Sequence, residues 1–272
     1  WIFLPNNSFD LQFFLGQIYR LLGDFANAKK LVVLSLEYFK NIPDSPEQVG
    51  ILNELSWIEL LLQDFAASRL HADQARQLLI ADSIEHGMSE RVLGQIAFAQ
   101  NLWQEAEFHF RTAITIFERF DDQRKIAWNL QNLGNALKCQ SKFEEAIECY
   151  NKAANSLMNL HDEHHWARVQ LNLGTTYCDY QQPEIGFQHY QQAYRIFQKL
   201  SDKLEMARTN TGLGLAFFSL KRYDEAKLSF RLSVEQFEML NQKNWSLNAA
   251  DGLAMSYLAT HDYEKALDVL DD

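Results

Sequence analysis

Three imidazoles fall within one helical turn in His161-Asp162-Glu163-His164-His165, beside two carboxylates. Their i, i+3 and i+4 spacing suits a divalent metal, for which imidazole and carboxylate are ordinary ligands. The order does not fit the HExxH arrangement, and closed metal sites normally take four ligands with further groups supporting them. The same slot elsewhere holds Phe120-Asp121-Asp122, Ser201-Asp202 and Asn241-Gln242, so the competing reading is a connector whose aspartate caps the next helix. No metal and no other cofactor is expected. Gly212-Leu213-Gly214 comes nearest to a glycine fingerprint for phosphates, but it lies inside a helical stretch with no strand before it. The sequence carries no nucleophile elbow, phosphate loop or paired-carboxylate motif, and an enzyme is not expected. Cys139, Cys149 and Cys178 read as small packing residues, with a Cys139–Cys178 bridge the one conceivable pairing.

Composition narrows the partners. A net charge of -11 and a pI near 5.2 argue against a nucleic-acid backbone or an anionic membrane, since both demand basic surface. No apolar run reaches the 18 or so residues of a membrane span, and no basic, apolar leader opens the chain. Three cysteines are too few for a disulfide framework, so the cytoplasm is the expected location. The start at Trp1 and the stop at Asp272 read as cuts through a longer protein.

The elements that must position any site are repeated ones. With Gly134 as anchor, matching positions are Gly16, Ser56, Gly94, Gly174, Gly214 and Ala254, spaced by 40, 38, 40, 40, 40 and 40 residues. Leucine precedes every anchor, and a small residue follows each by twelve: Ala28, Ser68, Ala106, Ala146, Gly186, Ala226 and Ala266. A period of this length means stacked supersecondary units that present an extended surface. Each unit reads as a helical hairpin, the first from about Phe9 to Leu22 and then from Phe25. Small residues let two helices approach at their crossing while Tyr150, Tyr190 and Phe230 fill the neighbouring space. Asp122, Asp162 and Asp202 sit where a short carboxylate can cap a first helix. Pro183 falls at a first helical position, where no intrahelical amide bond is lost. Copy two is the least typical, with serine at both small positions, and is the expected weak point of the array.

Leu173-Gly174 to Tyr177 and Ala146 to Tyr150 closely resemble the Leu-Gly-x-x-Tyr and Ala-x-x-x-Tyr elements of the tetratricopeptide repeat. The stretch from Phe120-Asp121-Asp122 through Ala127 to Asn132-Leu133-Gly134 is similar to the forty-residue variety of bacterial signal-transducing ATPase regulators, pheromone-responsive regulators, kinesin light chains and spindle-orientation adaptors. The resemblance implies an all-α, TPR-like solenoid of seven antiparallel helix pairs in a right-handed superhelix. The copies are 9–40, 47–82, 87–119, 124–160, 164–200, 204–240 and 244–272, forming one array. It also implies a scaffold or sensor module of a larger regulatory protein that binds protein or peptide on the concave face made by the first helices.

Carried onto this chain, that face holds Trp57 and Phe98 toward one end, Gln131, Asn132, Asn135, Arg168, Asn172, Thr175 and Arg208 in the middle, and Phe218 toward the other end. Asparagine suits an extended peptide because its amide both donates and accepts, and guanidinium can fork onto a carboxylate. Some members of the family grip a C-terminal carboxylate from five positions. Asn135, Asn172 and Arg208 match three of these, while Gln131 and Gly212 depart from the other two. The alternatives are a small-molecule inducer sensor and a structural spacer. Leu267, Val269 and Leu270, on a second helix with nothing after it, suggest end-to-end self-association of the fragment.

Overall fold

The computed structural model describes residues 8–39, 46–78 and 83–271. The lead-in loop, the connector between the first two copies and the end of the second copy lie outside the described residues. Fourteen helices and no strand are found among those described: α1 Ser8–Leu21, α2 Phe25–Phe39, α3 Pro46–Leu61, α4 Phe65–Gln77, α5 Ile84–Ala99, α6 Trp103–Arg119, α7 Gln123–Cys139, α8 Phe143–Asn159, α9 Glu163–Asp179, α10 Pro183–Lys199, α11 Lys203–Ser219, α12 Tyr223–Met239, α13 Lys243–Ala259 and α14 Tyr263–Asp271. They pair as hairpins, an odd-numbered helix followed by its even-numbered partner. The chain forms two compact units, 1–136 and 137–272, the division falling inside α7.

Eleven of the helix ends share one form. Eleven connections place one residue in the left-handed region: Gly23 at φ 81°, and ten non-glycine residues between 52° and 62°. In each, two amides turn back onto the helix that has just ended. The Lys221 amide donates to the Phe218 carbonyl at 2.9 Å and the Arg222 amide to the Phe217 carbonyl at 2.8 Å. This satisfies carbonyls that a helix end would otherwise leave unpaired. Several acids that follow cap the next helix: Asp122, Asp162 and Asp202 accept from the amides of Lys125, His165 and Glu205 at 3.0, 3.2 and 3.1 Å. Asp24, Asp64 and Ser83 do the same for α2, α4 and α5. Pro183 opens α10.

Within each unit, first helices pack on their own second helices and on the next first helix. In the first unit the core runs through Ala28, Val32, Leu36, Leu52, Leu55 and Ile58. In copy two the serines close their own contact: Ser56 Oγ donates to the Ser68 carbonyl at 2.6 Å and Ser68 Oγ to the Ser56 carbonyl at 2.7 Å. In the second unit, Tyr190 and Phe230 act as wedges. A Cβ built on Gly174 or on Gly212 would fall within 3.0 Å of the Tyr190 ring, and one on Gly214 or Gly252 would meet Phe230 in the same way. Each wedge therefore fills the notch of its own first helix and that of the next.

Candidate functional site

In the second unit the first-helix side opens into a cavity of about 290 Å³. α9 supplies Leu171, Asn172 and Thr175, α11 supplies Arg208, Thr211, Gly212 and Leu215, and α13 supplies Trp245 and Asn248, with Lys138 and Tyr190 completing the wall. Counted from the anchors these sit at −9, −6, −3, −2 and +1, which share one face of a helix. Three of the residues expected from sequence, Asn172, Thr175 and Arg208, thus come together.

Their bonding differs. Thr175 Oγ1 donates to the Leu171 carbonyl at 3.2 Å and accepts from the Tyr190 hydroxyl at 3.0 Å. Arg208 Nη1 donates to both oxygens of buried Glu205 at 3.0 and 3.1 Å, and its guanidinium lies 5.1 Å from the Trp245 ring centroid. Arg168, outside the cavity wall, reaches the same carboxylate at 3.7 Å. Lys138 Nζ lies 3.7 Å from Asp179. The carboxamides of Asn172 and Asn248 make no hydrogen bond among the described residues, Asn172 half-buried and Asn248 exposed. An amide facing a cavity without a partner retains its full capacity to donate and accept.

The other expected residues are placed as follows. Phe218 stands edge-on to Tyr223 at 5.4 Å, outside the cavity wall. In the first unit Phe98 makes the equivalent contact with Trp103 at 5.0 Å, and Trp57 lies under Arg91 at 4.8 Å. On α7, Gln131 is buried, while Asn132 and Asn135 are half-buried. Sequence reasoning missed Trp245, Thr211 and Tyr190. Trp245 stands one turn before Asn248, and its signal is an aromatic at the start of a first helix.

The imidazole-rich segment is a connector. His161 is the left-handed residue of the turn, at φ 54°. His164 Nε2 lies 3.0 Å from Asp202 and His165 Nδ1 lies 2.9 Å from Asp162, two different capping carboxylates. Among the described residues no group of three or more His, Cys, Asp or Glu is placed to hold a metal ion. The three cysteines are free thiols rather than a Cys139–Cys178 bridge. Burial and nearby Asp179 push Cys178 up to about 11. Among the described residues no helix is long and apolar enough to cross a membrane.

Family models decide what these hairpins are: one for the tetratricopeptide repeat matches residues 86–158 and 167–239, and another matches 9–40. The chain belongs to the tetratricopeptide repeat family. Solved TPR structures align over nearly all of it. The signal transduction ATPase with a tetratricopeptide repeat sensor from Pyrococcus horikoshii is 18% identical, with a TM-score of 0.77, covering 96% of this chain and 40% of that one. Aspartyl phosphate phosphatase F from Bacillus subtilis is 15% identical, with a TM-score of 0.76, over 96% and 68%. NprR in complex with its cognate peptide NprX is 14% identical, with a TM-score of 0.71, over 98% and 78%. At such identities the likeness is one of fold. No curated protein sequence matches the chain.

Proposed function

We propose that this TPR array is a recognition module of a larger regulatory protein, acting by binding rather than by catalysis, and that its second unit takes an extended peptide segment. The observation that carries this reading is the pair of carboxamides, Asn172 on α9 and Asn248 on α13, that share one cavity wall without protein partners. An extended main chain offers an unpaired donor and acceptor at each residue, which such amides can meet. Trp245 supplies an apolar wall 44% exposed, and Arg208 and Lys138 place positive charge beside it for an acidic side chain. NprR, similar in fold, is known in complex with a peptide. Gln131, Asn132 and Asn135 on α7 belong to the first unit and are proposed contacts of its own first-helix side.

The test is selection of random dodecamer peptides on the immobilised protein, followed by calorimetric titration of the selected sequences. Acidic peptides are expected, and Asn172→Ala should weaken them by about 1–3 kcal/mol because partner groups are left unpaired, with the melting temperature unchanged. Failure to enrich any peptide, or equal affinity for the Asn172→Ala and Asn248→Ala variants, would remove the reading. A cytoplasmic metabolite that raised the melting temperature where no peptide did would move the assignment to a small inducer.

A further inference from the structure

Arg91, on α5 of the first unit, is a half-buried cation that shares its neighbourhood with Glu54, an acid already held by Arg20. Its Nε is buried and finds no acceptor among the described residues, and no carboxylate pairs with it. Neighbouring cations are provided for: Arg20 holds Glu54 at 2.5 Å, Lys29 holds Glu59 at 2.9 Å and Arg69 holds Glu105 at 2.7 Å. The chain has 36 acidic against 25 basic residues, so the missing partner is not explained by a shortage of carboxylates. Burial, then Arg20, pull the Arg91 guanidinium down to about 10, against an opposing pull from Glu54. It therefore stays charged at neutral pH. A shielded N–H with no acceptor is costly, and replacing such a group by an apolar one can stabilise a fold.

The geometry around it is that of a half-built site. The guanidinium carbon lies over the Trp57 ring, 4.8 Å from its centroid, a cation–π contact that holds the head group in place. With Nε shielded, the Nη edge is what remains for a two-point contact with a carboxylate. Counted from the anchors, Arg91, Trp57 and Arg20 stand at −3, +1 and +4. The same slots in the second unit hold Thr211, Thr175 and Lys138, which line its cavity.

We propose that Arg91, held by Trp57 and supported by Arg20, is a carboxylate-binding site of the first unit, the ligand's acid on the guanidinium edge and its aliphatic part against the indole. This site stands independently of the peptide reading for the second unit. It is tested on the whole chain by titrating glutarate, inorganic phosphate and chloride at constant ionic strength, following the Nε–Hε resonance of Arg91. That resonance is assigned by its loss in Arg91→Met.

Glutarate should give a saturable shift and chloride none. The site should be at least about tenfold weaker in Arg91→Lys, which keeps the charge but loses the fork. Without ligand, Arg91→Met should melt higher than the native chain. Three results would overturn the proposal: no saturable shift with glutarate, phosphate binding more tightly than glutarate, or equal glutarate affinity in Arg91→Lys. A lower melting temperature for Arg91→Met would likewise assign the residue to folding.

Discussion

Glu205 takes both hydrogen bonds of its carboxylate from one nitrogen of Arg208, at 3.0 and 3.1 Å. The charge that faces the second-unit cavity is therefore already half neutralised, and Arg168 leans on the same acid. Replacing Glu205 with glutamine should free Arg208 and strengthen the binding of acidic peptides by about 1 kcal/mol, with a steeper dependence on salt. Calorimetric titration at two salt concentrations checks this. Unchanged affinity and an unchanged salt slope would mean that Arg208 does not meet the ligand.

Glycines in these helices should not be interchangeable. Gly212→Ala would drive a methyl into the Tyr190 ring and should cost about 1–3 kcal/mol by overpacking. Gly50, on α3, has nothing within 4 Å of the equivalent point. Gly50→Ala should therefore stabilise by about 1 kcal/mol through helix propensity alone. Thermal melts of the two variants should move in opposite directions.

Stability should carry an acid limb from the first unit. His109 Nδ1 donates to buried Glu90 at 2.7 Å. Burial alone would raise the Glu90 carboxyl, but the bond from His109 and the charges of His109, His86 and Arg76 outweigh it and hold the group below its ordinary 4.5. A depressed folded value means that the contribution is fully present above the unfolded value and is lost as pH falls through the folded one. Glu90→Gln should destabilise by about 1–3 kcal/mol at neutral pH. The gap to the native chain should narrow below pH 4.5. Denaturant melts across that range test it, and a gap independent of pH would place the effect in packing.

The left-handed turns offer a simple gain. Lys221 is exposed and held at φ 59°, a conformation that costs a side-chain-bearing residue about 1–2 kcal/mol and glycine little. Lys221→Gly should stabilise the chain by about 1 kcal/mol after the extra freedom of unfolded glycine is subtracted. Gly23→Ala, at φ 81°, should do the reverse. Chemical denaturation of both variants is sufficient.

What could be read from the sequence was what recurs locally. The anchors, the small residues twelve later and the capping aspartates announce themselves because their partners lie a few residues away or at a constant interval. Gly212 and Gly214 show where this stops. Both are visibly helical, yet one makes room for Tyr190 and the other for Phe230, wedges from two different hairpins, and no local pattern pairs them. In the candidate site Asn172, Thr175 and Arg208 followed from the register together with the family resemblance. Trp245 did not, because the cavity reaches one turn further toward the start of α13 than Asn248. That Arg91 forms no ion pair among the described residues depends on Glu54 being taken by Arg20, which periodicity cannot express.

The Tyr190 hydroxyl ends on Thr175 Oγ1 at 3.0 Å, so the residue that spaces α9 from α11 is also part of the cavity lining. The opening for a ligand and the separation of two hairpins are thus one mechanical variable. A ligand seated there would therefore bear on the side chain that sets the helix spacing.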